Sequence, residues 1–192
     1  MVAGAPLEAA LAVIRVLQDL RVDYLVGGSL ASSLHGTPRS TNDVDLVVDL
    51  KLIHVPLLAA RLEDAFYFDA DRARQAVRRR SSFNVIYLRT MFKIDLFVLA
   101  NDPLAKEEMR RRQRVTMDEE AGVAVDVASP EDTVLRKLEW FRRGGGRSDR
   151  QWQDLLGVLK VQKELDLEYM SRWSAHLGVE ELYSRALRDA GR

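Results

Sequence analysis

Asp43 and Asp45 stand one residue apart inside an apolar run, Asn42 to Leu50 (NDVDLVVDL). Side chains on a strand alternate between faces, so two acids at i and i+2 emerge on the same side. Val44, Leu46, Val47 and Val48 mark the strand as otherwise buried. Ionised carboxylates removed from water cost on the order of several kcal/mol each unless a cation or hydrogen-bond donors compensate, and a divalent metal ion is the usual compensation. A third acid, Asp95, lies between Ile94 and Leu96 in a second apolar run, Phe92 to Leu99. Asp43, Asp45 and Asp95 are therefore candidate metal ligands. Three carboxylates on neighbouring strands suit two-metal phosphoryl transfer: Mg2+, or Mn2+ in its place, takes oxygen ligands and keeps some waters. Two such ions about 4 Å apart can share three carboxylates and the substrate phosphates. One ion would activate an attacking hydroxyl and the other would neutralise a leaving pyrophosphate.

Upstream, the apolar run ending at Val26 meets Gly27, Gly28 and Ser29. Glycines let the backbone approach a triphosphate closely, and a serine hydroxyl with the free amides of a helix start can donate to its oxygens. The turn and the acids thus read as two halves of one nucleotide site.

The elements that must hold these residues follow from periodicity. Leu7, Leu11, Ile14 and Leu17 give an amphipathic first helix, and Val22 to Val26 a short strand. Ser29 is placed to cap a short helix, Leu30 to His35, ended by Gly36 and Pro38. Leu52 to Phe66 reads as a covering helix, and the basic stretch Asp71 to Arg80 as either a helix or a loop. Ser82 to Leu88 and Phe92 to Leu99 read as strands, Pro103 to Arg112 as a helix. Arg114 to Met117 with Val123 to Val127 form a hairpin around Asp118 to Gly122. Ser129-Pro130-Glu131-Asp132 is a strong helix start, and Ser148 and Asp166 cap two further helices before a last one over Glu180 to Arg188. The fold class expected is α+β. A mixed β-sheet flanked by helices occupies residues 1–128, and a C-terminal helical region occupies 129–192.

Lys and Arg (29) balance Asp and Glu (29), so net charge argues neither for nor against a nucleic-acid partner, and local charge must decide. With no cysteine there is no disulfide, no thiolate metal site and no cysteine nucleophile. The N-terminus lacks a basic segment ahead of its apolar residues, and no apolar stretch is long enough to span a bilayer, so a soluble, cytoplasmic protein without membrane association is expected.

Apolar-Gly27-Gly28-Ser29, a short helix, Asp43-x-Asp45 and the later strand Asp95 in Lys93-Ile94-Asp95-Leu96-Phe97 together resemble the DNA polymerase β-like nucleotidyltransferase superfamily. Arg39-Ser40-Thr41-Asn42 before Asp43 resembles the R-x-T-x-D variant of bacterial abortive-infection and toxin-antitoxin members. Lys137 in LRKLEW and Arg150-x-x-x-Asp154 are similar to the lysine and Arg/Asp motifs of those toxins. The resemblance implies a nucleotidyltransferase palm and Mg2+-dependent transfer of a nucleotide from a ribonucleoside triphosphate such as ATP to a hydroxyl. The acceptor stays open between an RNA 3′ end (tRNA included), a protein, and a small molecule of the aminoglycoside type. In the resemblance Asp43 and Asp45 bind both ions, and Asp95 binds one ion and accepts the attacking proton. Gly27, Gly28, Ser29, Arg39 and Thr41 hold the nucleotide, and Lys137 contacts phosphate or acceptor. An antitoxin protein would be a further partner. The chain is shorter than the larger toxins, which bears most on Lys137.

Plainer readings compete. Asp95 could pair with Lys93 or Arg89, Arg39 with a surface acid, and Lys137 could lie along an apolar stripe with its amine in water. Arg150 and Asp154 could form an i, i+4 surface pair. His35, His54 and His176 do not cluster, and Trp140, Trp152 and Trp173 read as core of the helical third. A non-catalytic binding module on the same fold would also carry the motif. The basic runs Arg72 to Arg80 and Arg110 to Arg114 read either as solvated faces or as a surface for a polyanion.

Overall fold

The apolar runs assemble into one seven-stranded mixed sheet in the computed structural model, which describes residues 5–118 and 122–192. In chain order, helix α1 (Ala5–Asp19) leads to β1 (Tyr24–Val26), α2 (Gly28–His35), β2 (Asp43–Val48), α3 (His54–Leu62), β3 (Phe66–Phe68) and α4 (Ala70–Arg79). Strands β4 (Ser82–Tyr87) and β5 (Phe92–Val98), helix α5 (Pro103–Arg111), and strands β6 (Gln113–Asp118) and β7 (Val123–Val127) complete the sheet region. Helices α6 (Pro130–Arg143), α7 (Asp149–Val161), α8 (Leu167–Leu177) and α9 (Glu180–Ala190) follow. The strand order is β3-β4-β5-β2-β1-β7-β6, with β2 parallel to β5 at its centre.

Alternation decides which face of the sheet is dry. Val44, Leu46 and Val48 of β2 and Ile94, Leu96 and Val98 of β5 are buried in one core with α1, α3 and α4. Asp43, Asp45, Val47, Lys93, Asp95 and Phe97 point to the other face. Val134, Leu135 and Leu138 of α6, Leu155 and Leu159 of α7 and Met170 of α8 form a second core. The two regions meet where α2 packs on α6 and α7. There the backbone of Gly36 passes so close to α7 that a Cβ would lie 2.6 Å from the Val158 nitrogen. His35 Nε2 donates to the Ala128 carbonyl at 2.7 Å, and Gln162 Nε2 donates to the His35 carbonyl at 2.6 Å.

Several expectations change. The helix expected over Leu52 to Phe66 ends at Leu62, because Phe66-Tyr67-Phe68, three good strand formers, pair with β4 as an edge strand. The basic stretch is the helix α4: the Asp69 carboxylate caps the amides of Asp71 and Arg72, and Ala73 and Ala76 bury against the sheet. Ser29 is not a cap; Gly27 holds that position and Ser29 lies inside the first turn of α2. The hairpin forms, but residues 119–121 of its expected turn lie outside the described residues. Ser129, Ser148 and Asp166 cap α6, α7 and α8 through their side chains. Among the described residues no helix is long and apolar enough to cross a membrane.

Candidate active site

The parallel pairing of β2 with β5 puts Asp45 directly opposite Asp95, with Asp43 opposite Lys93 one step back on the same face. Helix α2 begins against this face: Gly27 N–H donates to the Asp45 carbonyl, and Gly28 adopts φ +56°. A Cβ at Gly28 would sit 1.7 Å from Asp45 Oδ2, so only glycine lets the helix start rest on that carboxylate. The first intrahelical acceptor is used by the Ala31 amide, which leaves the Gly28, Ser29 and Leu30 amides without an intrahelical acceptor. A helix start of this kind attracts anions.

Burial and the neighbouring Asp43 and Asp95 charges push the Asp45 carboxyl up to about 6, with Lys137 and Lys93 opposing. The third acid is spoken for: Lys93 Nζ lies 2.7 Å from Asp95 Oδ2, the pairing that a single strand acid allows. Thr41, buried, donates its hydroxyl to Asp43 Oδ1 at 2.9 Å and so orients the acid. Among the described residues no three acidic or histidine side chains close into a metal cage. Mg2+ does not need one, since it is commonly bound through one or two carboxylates, waters and substrate phosphates. Hard carboxylate oxygens gathered on one face, with Asp45 strained by its like-charged neighbours, fit such an ion. Asp43, Asp45 and Asp95 are the residues that could hold it.

A second set converges from far along the chain. Asp154 of α7 accepts two hydrogen bonds from Arg39, at 2.6 and 2.7 Å, and one from Lys137 Nζ at 2.7 Å. Arg39 Nη2 also donates to Ser29 Oγ at 2.6 Å. Ser29, Arg39, Asp154 and Lys137 thus form one chain of contacts at the start of α2. Burial works to raise the Asp154 carboxyl, but the bonds from Arg39 and Lys137 outweigh it and hold it below the usual range. Burial lowers the Lys137 ammonium, with Asp154 opposing. Lys137 is 4 % exposed and does not snorkel to water. Asp154 is therefore no i, i+4 surface partner of Arg150, which is exposed.

Between the sheet face and α6 runs a cleft of about 550 Å³, touched by Gly27, Gly28, Ser29, Asp45, Lys137 and Trp140 among others. Trp140 is not core: it is 51 % exposed and stands edge-on to Phe97, with ring centroids 6.4 Å apart. Trp152 and Trp173 do pack among the C-terminal helices. Thr133 Oγ1 and Gln151 Oε1 also line the cleft, buried and without a protein partner. At its far end Arg136 reaches Glu108 through two bonds of 2.6 and 2.7 Å and Glu139 at 2.8 Å. Neither Trp140 nor this buried ion group was legible from spacing. Trp140 follows Lys137 by three residues and so shares its helix face, but that helix also reads as ordinary core.

The mixed sheet flanked by helices is similar to nucleotidyltransferase folds among solved structures. No protein-family model and no curated protein matches the sequence. Among solved structures, the chain is similar to an antigenic nucleotidyltransferase-like protein from Paracoccidioides brasiliensis at 17 % identity, over 97 % of this chain and 94 % of that one, with a TM-score of 0.58. It is similar to the antibiotic-resistance factor ANT(2'')-Ia at 12 % identity, over 94 % and 95 %, with a TM-score of 0.58. It is also similar to the lincosamide antibiotic adenylyltransferase LnuA, in a lincomycin-bound structure, at 12 % identity over 84 % and 99 %, with a TM-score of 0.54. At these identities the likeness is one of fold.

Proposed function

We propose that this chain transfers a nucleoside monophosphate from a ribonucleoside triphosphate to a hydroxyl, in a reaction that depends on a divalent metal. The observation that carries the reading is the contact of Gly28 with the Asp45 carboxylate, opposite Asp95, because it joins a phosphate-binding helix start to a metal-binding pair. Mg2+ held by Asp43, Asp45 and Asp95 would supply Lewis-acid activation of the hydroxyl and charge neutralisation at the leaving pyrophosphate.

The chain's own residues supply the rest. The Gly28, Ser29 and Leu30 amides and the Ser29 hydroxyl bind phosphate oxygens, and Lys137 sets a cation beside them while Asp154 fixes its position. Thr41 and Arg39 act through Asp43 and Ser29. Thr133 and Gln151 offer unused polar atoms to the ribose or base, and Trp140 offers a ring face. The acceptor oxygen forms a bond to the α-phosphorus, the α–β anhydride bond breaks, pyrophosphate leaves with the electron pair, and the acceptor proton passes to Asp95.

The test is transfer of label from α-labelled triphosphates, with Mg2+, to total RNA or lysate protein. Transfer lost in D43N/D45N with the fold retained is the expected result; undiminished transfer in that variant removes the mechanism. Directed at a cellular RNA, the activity would make the chain the toxin of a toxin-antitoxin pair, checked by growth arrest on expression that D43N/D45N abolishes.

The Lys93 ammonium on Asp95 supports a second reading, a nucleotide-binding module without turnover. A Mg2+-dependent thermal shift with triphosphate, no label on any acceptor, and no gain in K93M would favour it.

A further inference from the structure

Asp45 lines the large cleft beneath α6, and Asp95 lines an adjoining groove of about 290 Å³ on the side of β4, the two having Ser81 and Ser82 as common wall residues. Strand β3 pairs only with Val85 to Tyr87, so the outer edge of Ser82 to Asn84 is not covered by a strand, and the groove opens there. Its walls are Arg72, Gln75 and Arg79 of α4 and Ser82 and Asn84 of β4, with Asn84 directly opposite Asp95 in the sheet. Positions 72, 75 and 79 fall on one side of a helix and rise about 10 Å along its axis. Arg74 is tied to Asp71 at 2.7 Å, but among the described residues neither Arg72 nor Arg79 has a carboxylate partner, and both are exposed. The groove therefore combines two uncompensated guanidinium groups, hydroxyl and amide donors, and at its inner end the acid assigned above to the acceptor proton.

We propose that this groove binds a single-stranded polynucleotide through its phosphates and presents the strand's 3′-hydroxyl at Asp95. The assignment rests on the nucleotidyltransferase reading and names its acceptor. The 3′ oxygen then bonds to the α-phosphorus, pyrophosphate leaves from the other side, and the strand grows by one nucleotide. Forked guanidinium groups match phosphate oxygens. A polycationic small molecule would meet like charge at both arginines, which sets the aminoglycoside type of acceptor aside.

The experiment measures anisotropy of a labelled single-stranded oligonucleotide, as RNA and as DNA, across a salt series with wild type and R72E/R79E. Both substituted positions are exposed, so folding is expected to survive, and the thermal shift given by Mg-ATP monitors the donor side independently. The expected result is at least tenfold weaker binding in the variant and a slope of log K against log salt shallower by about 1.4, from roughly 0.7 for each of two lost phosphate contacts. The Mg-ATP shift stays unchanged. The RNA and DNA arms tell which strand is preferred. Oligonucleotide binding that is absent, or unchanged by the double reversal, overturns the proposal, as does label passing to protein equally well in both forms. Strand binding through the groove without any transfer would uphold the site and remove the catalytic reading instead.

Discussion

Lys137 of α6 and Asp154 of α7, 17 residues apart in sequence, meet at 2.7 Å with both side chains all but sealed from water. Asp154 also grips Arg39, so its removal strands two cations. D154A is expected to lower stability by about 3 kcal/mol, or roughly 6–12 °C in Tm, because an uncompensated buried charge is left behind. The double variant D154A/K137M should regain much of that stability while remaining inactive. Calorimetry of the four forms checks this, and a D154A protein as stable as wild type would show that the pair carries no buried charge.

Gly28 separates a steric role from a conformational one. An alanine there must adopt φ +56° and place its Cβ on Asp45 Oδ2. The backbone strain costs about 1 kcal/mol, but displacing Asp45 by about an ångström is expected to reduce turnover roughly 100-fold. Gly27→Ala, whose Cβ would touch only Leu25 at 4.0 Å, should cost far less. Steady-state rates of the two variants, with melting curves alongside, make the comparison.

Trp140 lines the cleft beneath α6 with half its surface exposed. If its ring receives the nucleobase, W140A should weaken ATP binding by about 5- to 150-fold, the effect of losing one stacked base at roughly 1–3 kcal/mol. Tripolyphosphate, which has no base, should bind both forms alike. Quenching of tryptophan fluorescence by ATP should disappear with the residue; equal ATP affinity in W140A would exclude the stack.

His35 supplies a pH dependence that does not involve the acids. Burial lowers its imidazole, which donates to Ala128 as the neutral form. The unfolded chain therefore takes up a proton at higher pH than the folded one. Stability is full above the ordinary histidine value of about 6.5 and declines as pH falls below it toward the lowered folded value. The loss amounts to about 1.4 kcal/mol for each unit between the two values. Raised carboxyls such as Asp45 change stability with the opposite sign over the same range. The His35 contribution is therefore read as the difference between wild type and H35Q in urea melts from pH 7.5 to 5.5, the wild type losing more stability as pH falls.

Local features of the sequence determined the sheet strands that carry Asp43, Asp45 and Asp95, the common face of the first two, and the side-chain caps of α6, α7 and α8. Each follows from period-two alternation or from a capping residue next to the helix it starts. The edge strand β3 escaped because three aromatics beside a helical run become a strand only when β4 is there to pair with them. Tertiary structure alone decided that Asp45 faces Asp95 in register, that Lys93 neutralises Asp95, and that Asp154 joins Arg39 to Lys137. Those facts depend on strand order and on the packing of α2 against α6 and α7, which bring together residues 115 and 17 positions apart. The same packing turned Trp140 outward, although its spacing matches that of a core residue. Periodicity can say that a side chain lies on a given helix face; whether that face meets another helix or an open cleft is settled by what packs against it.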